Sequence, residues 1–188
     1  KNTTAKITSQ HGLFCHTFIE RKGKETAEKY LQANQQAVDE YKRIICEENI
    51  DCDLTEADAY VYSSDGERLR QETEAAKGLG MNASFEPQIE IPVACAGAVR
   101  FLDQAHFHPL KFIGALADHL RVYEDTPVTE VDGNQIKTPC GSVRAEKIVF
   151  TTHFPFINFP GMYFARMHQE RSCVAALEGA GTIKGMYI

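Results

Sequence analysis

The chain has 188 residues, 43% of them hydrophobic and 24% charged, with a formal net charge of −6 at pH 7. That composition supports a packed core, is unlike disordered or low-complexity sequence, and fits one large domain or one domain with fragments of another. The 20 basic residues are dispersed among 26 acidic ones, which argues against a nucleic-acid or anionic-membrane partner, and no apolar run approaches the roughly 20 residues of a membrane span.

The sequence opens, without an initiator Met, on a polar, hydroxyl-rich stretch from Thr3 to His11, and it stops at Gly185-Met186-Tyr187-Ile188 like a strand entered and then cut. Both ends read as the boundaries of a piece. Lys1 to Thr4 lacks the apolar stretch of a secretory signal, so the cytoplasm is the default location. From Gly23 to Glu48 the positions Ala27, Tyr30, Leu31, Ala37, Val38, Tyr41, Ile44 and Ile45 recur at three-to-four spacing, which predicts one long amphipathic helix. Ala57 to Tyr62 reads as a strand, and Asp65 to Lys77 as a helix stopped by Gly78 in a left-handed cap.

Pro87 and Pro92 punctuate an extended connection, followed by a strand over Ala98 to Leu102. Pro109 to Leu120 reads as a helix with Leu110, Ile113, Leu116, Ala117 and Leu120 on one face. Val122 to Val131 leads through Asp132-Gly133-Asn134 to Gln135–Thr138, a strong hairpin signal. A second turn at Pro139-Cys140-Gly141 introduces Ser142 to Phe150, whose apolar end at Ile148–Phe150 is expected to be buried. Arg166 to Leu177 reads as a further strand, and Gly179-Ala180-Gly181 as a turn before the last one. There is no internal repeat. The elements predict an α+β fold, a mixed and largely antiparallel sheet with flanking helices.

Six cysteines, at 15, 46, 52, 95, 140 and 173, are irregularly spaced with no Cys-x-x-Cys, and read as reduced thiols. Gly78-Leu79-Gly80-Met81-Asn82-Ala83 matches G-x-G-x-x-G/A by letters. A phosphate loop needs a strand before it and a helix after it, and here a helix precedes, so a helix cap is the better reading. His106 and His108 could ligate a metal but lack a third ligand at a suggestive spacing; either could instead cap the helix or face a substrate. Thr151-Thr152-His153 follows the apolar run at 148–150, at a strand end where α/β proteins gather ligands, although a turn is the plainer account. Arg166, His168 and Glu170 would share one face of a strand, either a solvated face or one on which Arg166 or Arg171 holds a carboxylate bidentately.

Four segments in order resemble the D-amino-acid oxidase and glycine oxidase family of flavoproteins, and more sharply a bacterial subgroup that carries a Rieske iron-sulfur domain after its flavin part. They are Thr3–His11, Asp103–Lys111, Thr151–Phe156 and Tyr163–Ser172. The resemblance implies that 1–12 and about 121–160 lie next to the FAD domain, and that about 13–120 and 161–188 form the substrate domain. It implies FAD contacts for Thr3, Thr4, Lys6, Thr151 and Thr152, and an adenine-clasping backbone at Val128. It places His11, His108 and Arg166 on the substrate side, the substrate being a small amine or amino acid that gives a hydride to the flavin.

The family's glycine-rich phosphate loop, its ribose-binding acid and the Rieske ligands are not found in this sequence. The fragment is therefore expected to hold neither FAD nor a cluster and to be inactive by itself, with no metal, and Phe150, Phe154, Phe156 and Phe159 are expected to be exposed and to favour self-association. The rival readings are a free-standing α+β module for a small ligand or a protein partner, and a His-based metal protein.

Overall fold

In the computed structural model, residues 3–154, 156–159, 161–168, 170, 175, 178–179 and 181–188 are described. Arg171, Cys173 and most of the strand expected over Arg166–Leu177 lie outside them. The chain divides into two compact units, Lys1–Leu120 with Gly181–Ile188, and Arg121–Ala180.

In the first unit the expected long helix is α2 at Lys24–Glu47, and a helix that the sequence reading did not give, α1 at Cys15–Lys22, precedes it, with Gly23 between them. Gly23 sits at φ +81°, the left-handed region that a side chain adopts only under strain, and its N–H closes α1 on the Ile19 carbonyl at 2.9 Å. Helix α1 escapes the periodicity reading because its eight residues carry few apolar positions. Of the predicted apolar face of α2, Ala27, Leu31, Val38 and Ile45 are buried, whereas Tyr30 and Tyr41 stay exposed at its edge.

Helix α3, Gly66–Gly78, starts where Asp65 accepts the Arg68 N–H at 3.0 Å. It ends past the predicted stop: Gly78 is still helical, and Gly80 takes the left-handed conformation at φ +83°. Helix α4 covers Pro109–Ala117, shorter than expected, and its Leu110 (54% exposed) and Ile113 (58%) do not face the core. The side of α4 that packs is Phe112, Ala115 and Leu116, against Ile45, Ile50 and Cys52.

Helices α1 to α3 back a four-stranded sheet in the order β10-β3-β5-β4, from β3 (Ala59–Ser63), β4 (Ala83–Glu86), β5 (Gly97–Phe101) and β10 (Met186–Tyr187). Strand β4 lies within the segment that reads in the sequence as a Pro-containing loop. Pairing is antiparallel except for β10 on β3, where Met186 aligns with Ala59. Alternation sends Val99 and Phe101 into one cluster with Leu31, Leu69, Ala76 and Leu79. Each of the larger side chains, Leu31, Leu69, Leu79, Val99 and Phe101, contributes on the order of 1.5–3 kcal/mol by burial.

The other face of the sheet carries Tyr60, Arg100 and Tyr187. The tyrosine rings stack at 4.7 Å, and Arg100 donates through Nε to Asp58 at 2.8 Å and through a terminal nitrogen to Glu86 at 3.4 Å. Gly185 admits β10 to this edge, because a Cβ there would stand 2.6 Å from the Tyr60 ring. A second small sheet, β1-β6-β2, pairs Lys6–Ile7 and Thr55–Glu56 with Ala105–His106. Ser9 and Gln104, both fully buried, hydrogen-bond each other and Gln35 between that sheet and α2.

The second unit is an antiparallel meander, β7 (Glu130–Asp132), β8 (Gln135–Thr138) and β9 (Gly141–Arg144), turned at Gly133, so the predicted hairpin is present. Strand β9 stops at Arg144. Ile148–Phe150 belongs to no strand and is not buried, with Val149 at 82% exposed, because no neighbouring strand pairs with it among the described residues. Tyr163–Ala165 forms a short 3-10 turn, and Arg166 follows it with its N–H on the Tyr163 carbonyl at 3.0 Å, not in a strand. Phe150, Phe156 and Phe159 are exposed and Phe154 is half-buried. Thus the fold is α+β with largely antiparallel pairing, as the sequence predicts.

Candidate functional site

Within the first unit, Thr3 and Lys6 line one hollow of about 320 Å³, walled by Tyr41, Phe107 and Phe112, whose rings meet at 5.4 to 5.7 Å. Lys6 is half-buried and gives its Nζ to the Tyr187 carbonyl at 3.3 Å; burial lowers its pKa, and no carboxylate pairs with it among the described residues. The hollow therefore joins an apolar, aromatic wall to a lysine whose ammonium is held by a main-chain carbonyl outside the lining. Thr4 is exposed beside it in sequence.

His11 lies elsewhere in this unit. Its Nδ1 is 3.2 Å from the Tyr30 hydroxyl, and its ring belongs to an aromatic group with Phe14, Phe18 and Tyr30 at centroid distances of 5.2 to 6.3 Å. His108 caps α4, its Nδ1 accepting the Lys111 N–H at 3.3 Å while its own N–H meets the Cys52 carbonyl at 2.7 Å. Neither a hydrogen bond nor a ring contact joins His11 to His108. His106 is exposed on β6, and no three His, Cys, Asp or Glu side chains gather as a metal site among the described residues.

Two residues of α3 that the sequence reading passed over hold the segment after His11. Glu72, 3% exposed, accepts the N–H of Cys15 at 2.6 Å and of His16 at 3.1 Å, satisfying the open N-terminus of α1 from a neighbouring helix. One turn earlier, Arg68 donates to the Leu13 carbonyl at 3.3 Å. Burial, and then the nearby Glu72 carboxylate, push the Cys15 thiol far above its ordinary range, which leaves it protonated and unreactive. The signal for Glu72 was a carboxylate on the same helix face as Leu69, Thr73 and Ala76.

In the second unit, Val128, Thr151 and Thr152 do come together. They line a hollow of about 350 Å³ with Val131, Ile136 and Phe150. A neighbouring hollow of about 530 Å³ shares Val128 and Ile136 with Tyr123 and Val143. Arg166 is exposed and lies outside both linings.

An apolar wall edged by two hydroxyls suits a flat heteroaromatic base such as adenine. A pyrophosphate needs convergent amides, and there the fit fails. Gly78-Leu79-Gly80-Met81-Asn82-Ala83 runs from a helix C-terminus into β4, so the helix end it presents is the negative one. Gln10 Oε1, the one buried side-chain polar atom without a partner among the described residues, is shut off from solvent while its Nε2 holds the Val99 carbonyl at 2.9 Å, so it marks no surface contact.

Comparison with known proteins defines the class. Residues 3–178 match the DAO family of FAD-dependent oxidoreductases, and the chain belongs to that family. Among its relatives, the Bacillus subtilis protein YhfW, carrying the name of a Rieske 2Fe-2S iron-sulfur protein, is 33% identical over 189 residues, covering 94% of this chain and 37% of YhfW. The fold is also that of glycine oxidase from Geobacillus kaustophilus (TM-score 0.51, 16% identity, 76% of this chain and 44% of that one). A further match is L-proline dehydrogenase from P. horikoshii (TM-score 0.52, 14% identity, 62% and 36%). At such identities these two likenesses are of fold alone. The chain spans less than half the length of each of the three proteins.

Proposed function

We propose that this chain is the internal, mainly substrate-domain part of an FAD-dependent oxidoreductase that oxidises a small amine or amino acid in the cytoplasm. The observation that carries the reading is the family match over residues 3–178. The names of the two fold neighbours, a glycine oxidase and an L-proline dehydrogenase, support the substrate class. When bound, the flavin supplies the acceptor for a hydride from the carbon that bears nitrogen, and the protein's part is orientation and electrostatics.

On this reading the backbone at Val128 clasps the adenine of FAD, and Thr3, Thr4, Lys6, Thr151 and Thr152 belong to segments that approach the cofactor. His11, His108 and Arg166 lie toward the substrate, with Arg166 suited to a carboxylate. No side chain is assigned as a general base. Segments 1–12 and about 121–160 adjoin the FAD domain, and about 13–120 and 161–188 belong to the substrate domain. The name of the B. subtilis relative extends the reading to a Rieske cluster elsewhere in the full-length protein. The 188 residues alone are expected not to retain FAD, because their one glycine-rich motif ends a helix instead of starting one.

Anaerobic addition of amines and amino acids to the purified full-length protein tests the proposal. Bleaching of the visible flavin absorbance by a member of either class is expected. A full-length protein that binds no flavin, or whose flavin is reduced by hydroxy acids and by no amine, overturns it. In the same terms, the melting temperature of the isolated chain should not respond to FAD; a free-standing small-ligand module would instead respond to a metabolite.

A further inference from the structure

We propose that Glu72 and Arg68 are positioning residues for His11, acting through the backbone on either side of Phe14. The functional consequence rests on His11 facing the substrate, as proposed above; the positioning itself stands on geometry. The two side chains lie one turn apart on α3, so they reach the same neighbouring segment. Arg68 takes the Leu13 carbonyl, and Glu72 takes the N–H groups of Cys15 and His16. Phe14 is thereby held from both flanks.

The Phe14 ring in turn lies 6.3 Å from the His11 ring, nearly parallel to it, and 5.7 Å from Tyr30, edge-on. Tyr30 closes the group with its hydroxyl 3.2 Å from His11 Nδ1. Gly12, at φ +87°, is the turn that lets the chain fold back so that His11 and Phe14 meet. With Nδ1 engaged by Tyr30, Nε2 is the ring nitrogen left for another partner, and the orientation of the ring is set by Phe14 and Tyr30 together. A buried carboxylate with two main-chain partners is a stiff anchor, since loss of either bond leaves a buried oxygen unsatisfied.

The test uses NMR of the 188-residue chain, with Glu72→Ala, Arg68→Ala and, as control, Glu74→Gln on the solvent side of the same helix. In the first two, loss of the His11–Tyr30 ring contacts and displaced His11 ring resonances are expected, with no change in the control. If Glu72→Ala does not fold, Arg68→Ala, which removes one exposed donor, carries the readout. Unchanged His11 shifts and ring contacts in folded Arg68→Ala, whatever its melting temperature, overturn the proposal. In the flavin-loaded full-length enzyme Arg68→Ala should raise KM roughly tenfold with kcat little changed. Displaced His11 ring resonances without any change in KM remove the substrate-side reading of His11 and leave the clamp standing.

Discussion

In the first unit Leu31, Leu69, Val99 and Phe101 are shut behind three helices, whereas in the second Val149, Phe150, Phe156 and Phe159 lie open to solvent. Every buried hydrophobic residue among the described ones belongs to the first unit. A sheet is stable when its apolar face meets a second layer. Strands β3, β4 and β5 have that layer in α1 to α3, and the meander β7-β8-β9 has no helix on it among the described residues. The first unit thus carries its own stability, and the second displays the kind of surface that a cofactor or another protein surface covers.

Core truncation should break the contrast or confirm it most forcefully. Phe101→Ala is expected to cost about 3–5 kcal/mol in urea unfolding, against less than about 0.5 kcal/mol for Val149→Ala. Equal costs would mean that the second unit has a core of comparable weight. Next, the open phenylalanines should drive concentration-dependent association of the isolated chain. The double variant Phe150→Ser, Phe159→Ser should weaken it about tenfold or more in sedimentation, without lowering the melting temperature of the first unit.

A smaller effect tests how the helical layer is pinned. Asp65→Ala removes the α3 cap and should destabilise by about 1 kcal/mol, while Asp65→Asn, which keeps an acceptor, should cost far less. The smallest effect is pH-dependent. The hydrogen bond from Lys111 holds the Asp53 carboxyl below the ordinary aspartate range. Its stabilisation is therefore present above about pH 4 and lost as pH falls through the lower folded value. The gap in melting temperature between the parent and Asp53→Asn should accordingly narrow steadily as pH falls below the ordinary aspartate range. A gap that does not narrow on acidification would remove the pair as its cause.

Where the determinants of structure were local, the sequence showed them. The 3.6-residue pattern marks α2, α3 and α4, and Asp-Gly marks the β7–β8 turn, because both act within a few residues. Non-local choices stayed hidden. Leu110 and Ile113 look as good a core face as Phe112 until α2 is seen to offer Ile45 to only one side of α4. Ile148–Phe150 has strand composition, but a strand exists only when a partner supplies hydrogen bonds.

Of the residues expected at a site, Thr3 and Lys6 are near neighbours in sequence and line one hollow, Val128, Thr151 and Thr152 line another, and His108 caps α4. The Glu72 contacts join residues 56 and 57 positions apart, and no window on the sequence reaches that far.

Gly185 gives the open edge of the larger sheet an entry requirement. Strand β10 reaches β3 past a point where the Tyr60 ring occupies the space of a side chain, and the same ring is stacked on Tyr187, so it cannot swing aside without unstacking the strand it would be making room for. Docking of β10 and ordering of the tyrosine pair are consequently one event. A methyl group at position 185 would act as a wedge that undoes both, and the pair's ultraviolet signature would report in a single measurement whether the sheet is closed at that edge.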